Sequence, residues 1–234
     1  MTSQVEADAL SFADWWLRDV CEPLRPLYLI ARSEAPHLFR LWRSDAAAHT
    51  LDTREREVRL HLESRGDWQG HGFACVLDME ALSSVGSTLL TSCRDLALHE
   101  FAHGLLWKPV EEENGPVEYP SPPAEEVAAY RGLYDRVVAT VEPWVDHGAA
   151  FLRIMVHLWH RSIIRKRSLS ARNIWAAGSH YGLSPIGDYL AVLRSTGDLE
   201  RYERTPLEEI ARTEPPAELV RFFKADCLRW KLSK

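Results

Sequence analysis

From Leu96 to Leu106 every residue is apolar or glycine except His99, Glu100 and His103. A helix that is apolar on all sides is stable only when buried, so this segment carries three ionisable side chains into an interior. Their spacing is H-E-x-x-H. At about 3.6 residues per turn His99 and His103 share one face, where two imidazoles can reach the same metal ion. Glu100 stands one step round from His99, where it can take a proton from metal-bound water without becoming a ligand. Ser92, with Asp95 three residues on, predicts a capping box at the helix start, and Lys108-Pro109 predicts its end.

A catalytic zinc takes three protein ligands and keeps a position for water. The sequence offers two sources for the third. Asp146-His147-Gly148-Ala149-Ala150-Phe151 sets a histidine at the start of an apolar helix, with Asp146 as its N-cap or as an acceptor for the imidazole N–H. The rival is Glu125 or Glu126, in the gluzincin manner of a glutamate supplied by the next helix. His180 or Tyr181, in the turn Ser179–Gly182, is a candidate oxyanion stabiliser.

H-E-x-x-H followed by H-G-x-x-F resembles the SprT-like zinc metallopeptidases, the group that includes Spartan-type proteases. The resemblance spans roughly residues 56–164. It implies that His99, His103 and His147 bind one Zn²⁺ ion and that Glu100 is the catalytic base. It also implies a small sheet, then the motif helix, then a packed helix bearing the third ligand. The chain departs from bacterial members in lacking the cysteine pairs of a C-terminal zinc ribbon.

The rest of the sequence predicts an α+β fold. Arg56–Leu62 alternates, with Val58, Leu60 and Leu62 on one side, and reads as a strand; Phe73–Met79 reads as its antiparallel neighbour and as a rail for a substrate backbone. Helices are expected over 8–20, 124–141, 148–164, 184–193, 205–212 and 216–228. Residues 1–167 read as the peptidase-like domain with an N-terminal helical extension, and 168–234 as a helical appendage packed on it. His157 and His160 read as packing or surface groups. The Pro-rich stretch from Pro109 to Pro123, with Glu111, Glu112 and Glu113, reads as an exposed loop over the site. Cys21, Cys75, Cys93 and Cys227 form no C-x-x-C pair and read as reduced, buried thiols.

The net charge of −6 gives no basic footprint for nucleic acid. The basic run from Arg161 to Arg172 reads as a solvated helix face, with a phosphate contact as its alternative. No apolar run reaches the ~18–20 residues of a membrane span, and the acidic N-terminus lacks a secretory pattern, so a cytoplasmic protein is expected. The expected function is a zinc-dependent peptidase acting on a peptide or protein substrate. The alternatives are a catalytically silent, zinc-stabilised scaffold and a DNA-associated protease.

Overall fold

Three short strands, β1 (Leu27–Ala31), β2 (Ala48–Asp52) and β3 (Phe73–Leu77), form the centre of the computed structural model, which describes residues 3–23, 26–38, 47–83, 88–106, 147–167, 169–171 and 182–233. Their order is β1-β3-β2, with β1 parallel and β2 antiparallel to β3. β1 and β3 are buried along their whole length. Alternate side chains enter two separate cores: Leu27, Leu29, Phe73, Cys75 and Leu77 on one face, Tyr28, Ile30, Ala74 and Val76 on the other. Burial on both faces is why their sequences are unbroken apolar runs rather than alternating ones.

The fold is α+β, as expected, but the sheet is mixed rather than antiparallel. A parallel pair needs a crossover, and the chain from 32 to 72 supplies it, with β2 and the helix α2 (Arg56–Arg65) inside it. That helix overturns the strand expected at Arg56–Leu62. Val58 and Leu62 are 1% and 0% exposed while Leu60 is 50% exposed, so i and i+4 face the core and i+2 faces solvent. Arg59 bonds Glu63 at 2.9 Å one turn on, and Gly66 ends the helix at φ 75° with its N–H on Glu63 and Leu62.

On the other face lie α1 (Gln4–Cys21), the short α3 (Met79–Ser83) and α4 (Leu89–Leu106), followed by α5 (Ala149–Ile164). α1 begins earlier than expected because Ser3 and Glu6 close a reciprocal capping box. α4 also begins early. Ser92 and Asp95, expected to cap it, are buried within it, and Asp95 instead accepts from Arg94 Nε at 2.7 Å. The Thr88 hydroxyl receives the Thr91 N–H at 3.4 Å in the capping role.

Four further helices, α6 (Ile186–Ser195), α7 (Asp198–Arg201), α8 (Leu207–Ala211) and α9 (Ala217–Leu232), complete the described chain. α6, α8 and α9 pack on α5, and α8 also reaches α4. The expected helix at 124–141 and the loop from Pro109 to Pro123 lie outside the described residues. The four cysteines are buried and unbonded to one another. No described helix is long and apolar enough to cross a membrane.

The basic run at the end of α5 is solvated in part, as expected: Arg165 and Lys166 are exposed and Arg167 is half-buried, and Arg161 is the departure. Arg161 is buried and donates to the Tyr202 and Thr205 carbonyls. Arg165 bonds Glu22 and the Asp19 carbonyl, and Arg167 bonds the Asp19 carboxylate at 2.8 Å while stacking 4.5 Å over Trp15. Arg165 and Arg167 thus tie the end of α5 to the end of α1; Arg172 lies outside the described residues.

Candidate metal centre

α4 is buried on nearly every side, held by α1 along one flank and by β2 and β3 along another. Close approach to the sheet depends on Gly104, next to His103. A Cβ there would lie 2.5 Å from Cε2 of Phe73, whose ring is packed against Phe101 at 5.7 Å between centroids. Gly104→Ala is expected to destabilise the fold by about 1–3 kcal/mol, read from the shift in denaturation midpoint. An unchanged midpoint would show that the Phe73 ring yields freely.

One turn of α4 brings His99 Nε2 and His103 Nε2 to 3.2 Å from each other. His147 immediately precedes Gly148, the N-cap of α5, and its Nε2 lies 3.2 Å from that of His99. The three ligand atoms lie within 4.8 Å of one another. Two nitrogens held at ~2.0–2.1 Å by one tetrahedral ion stand about 3.3 Å apart, so both measured spacings fit ligands of a single ion. A lone proton on His99 Nε2 could bridge to only one of its two neighbours, whereas a cation satisfies all three. The group can therefore hold a metal ion. Burial, reinforced by repulsion from His103 and His147, holds the His99 imidazole well below its ordinary pKa and favours the neutral ring that ligation requires.

Phe151, the last residue of H-G-x-x-F, stands in the first turn of α5, four residues after His147. Its buried ring lies 4.5 Å from the His103 ring, 4.8 Å from His147 and 5.0 Å from His99, centroid to centroid. It packs against all three imidazoles at once, limiting their rotation and keeping water from that side.

Glu100 is buried beneath the sheet. Thr50 of β2 donates its hydroxyl to Glu100 Oε2 at 2.6 Å, with the Glu100 carbonyl at 3.1 Å from the same oxygen. Thr50 is the cross-strand partner of Cys75 in β3, whose thiol pKa is raised first by burial and then by the Glu100 charge. Thr50 is a residue that sequence reasoning missed; nothing near it in the chain marks it out.

Asp146, Glu125, Glu126, His180 and Tyr181 lie outside the described residues. The rail expected at Phe73–Met79 is corrected, since β3 is the middle strand and both its edges are occupied. β2 has an outer edge with no partner strand among the described residues. His157 is a packing group, as expected: fully buried, with Nε2 3.0 Å from the Asp198 carboxylate.

No family model matches the sequence, and no curated protein or solved structure matches it.

Proposed function

We propose that the chain is a zinc-dependent peptidase of the zincin type, with His99, His103 and His147 as ligands and Glu100 as general base. The observation that supports this best is the convergence of three imidazole Nε2 atoms, with His99 3.2 Å from each of the others, beside the glutamate of H-E-x-x-H. Three neutral imidazoles favour zinc among the common divalent ions, and three ligands leave a position open. When bound, zinc polarises a carbonyl and makes water acidic enough to deprotonate near neutral pH.

The chain's own groups supply the rest. Glu100 accepts a proton from the attacking water and delivers it to the departing amine nitrogen, so one carboxyl group is base and then acid. Phe151 holds the imidazoles and excludes water behind them. The outer edge of β2 offers backbone groups to an extended peptide, close to the base that Thr50 touches.

The test is digestion of a pooled peptide library by the zinc-loaded protein, with and without a chelator. Cleavage should stop on chelation and return when one equivalent of zinc is restored. A protein that binds one zinc, melts when it is removed and cleaves nothing in the pool is the scaffold instead.

A further inference from the structure

We infer that Thr50 is a positioning residue for Glu100, a role that rests on the peptidase reading of the site. A glutamate side chain has three rotatable bonds, and fixing it costs rotamer freedom. At a distance of 2.6 Å the hydroxyl–carboxylate contact has the length of a charge-assisted hydrogen bond. A hydroxyl has one proton to give, and the carboxylate oxygen is nearer to it than the Glu100 carbonyl at 3.1 Å. The bond runs from a strand to a helix. β2 is hydrogen-bonded into the sheet and α4 packs against both β2 and β3, so each end is fixed by its own element. Thr50 thus fixes the base from outside the helix that carries the ligands, and it ties that base to the edge along which a peptide would lie. The residue touches neither metal nor substrate in this role. It acts by removing the alternative rotamers in which the carboxylate is turned away from the reacting water.

The experiment compares Thr50→Val, which keeps the β-branched shape and loses the hydroxyl, with Thr50→Ser, which keeps the hydroxyl. Zinc content and the far-UV spectrum are checked for each, and Thr50→Ala replaces the valine variant should that one not fold. Thr50→Val should lower kcat on the order of tenfold, with KM within about twofold of wild type. Thr50→Ser should recover most of that loss. Wild-type kcat in Thr50→Val, or no rescue by serine, overturns the role.

A second readout does not use activity. In a double-mutant cycle of Thr50→Val and Glu100→Ala, unfolding constants of the zinc-loaded proteins should depart from multiplicativity by about three- to tenfold. Multiplicative behaviour overturns the bond itself. Should wild type cleave nothing, the peptidase reading falls, and a positive cycle then makes Thr50 a structural tie, so the positioning role falls with it. Should wild type cleave and Thr50→Val match it, only the positioning role falls.

Discussion

Glu100→Gln is expected to keep zinc at one equivalent and to lower kcat/KM by about 10²–10⁴, or roughly 3–5 kcal/mol of transition-state stabilisation. The amide has the shape of the carboxylate, and its carbonyl oxygen can still receive the Thr50 hydroxyl, so the helix and its histidines keep their places. It cannot accept a proton at neutral pH, and that is the only function removed. Zinc is measured by elemental analysis of the purified variant and hydrolysis by the peptide that wild type cleaves best. His103→Ala should provide the contrast: it removes a proposed ligand, so zinc should be lost along with activity. Full activity in Glu100→Gln would eliminate this carboxylate as the base.

The second large effect lies away from the site. Arg153 of α5 is 2% exposed, and its Nε and Nη2 each donate to Asp198 at 2.8 Å. Its third nitrogen, Nη1, reaches the Ile210, Thr213 and Glu214 carbonyls and the Thr213 hydroxyl. Arg153→Ala strips the principal cation from a buried carboxylate and takes one donor from the Ile210, Thr213 and Glu214 carbonyls, of which Ile210 keeps the Thr213 N–H. Breaking such a pair costs about 3–5 kcal/mol, which for a chain of this size lowers the melting temperature by roughly 6–20 °C. Burial by itself pushes the Asp198 carboxyl up, but the bonds from His157 and Arg153 outweigh it and hold the carboxyl at about 2, down from 3.8. A carboxyl lowered on folding stabilises the fold above its unfolded value, and that contribution is lost as pH falls from 3.8 towards about 2. The deficit of Arg153→Ala should therefore be largest near neutral pH and shrink below pH 3.8 in denaturant titrations. A variant as stable as wild type at pH 7 would show that the network is dispensable.

How far the sequence carried is clearest from particular residues. The motif helix was legible because polar groups inside an apolar segment have few reasons to be there, and His147 because it opens a second apolar helix. α2 misled because Val58 and Leu62 satisfy both periods, and only the exposure of Leu60 separates them. β1 and β2 went unread: β1 is a short apolar run buried on both faces, and β2 is a polar edge strand, so neither alternates cleanly. Thr50 meets Glu100 across 50 positions, and Arg153 meets Asp198 across 45. Such pairs are made by tertiary packing, and no local pattern announces them. The C-terminal helices looked chemically plain for the same reason, although Asp198 and Asp226 are buried anchors there, the latter receiving Ser184 and Tyr189.

The placement of α1 bears on the order in which the molecule is assembled. It is synthesised before α4 and α5, yet it packs on both, and β1 cannot pair with β3 until β3 has been made. Contacts so distant along the chain make for slow folding and leave early segments waiting with apolar surface uncovered. His99 and His103 emerge long before His147, so a nascent chain that ends after α4 offers an ion two ligands and no wall behind them. On the proposed ligand set, metal uptake should therefore be a late event, coupled to the docking of α5 against α4.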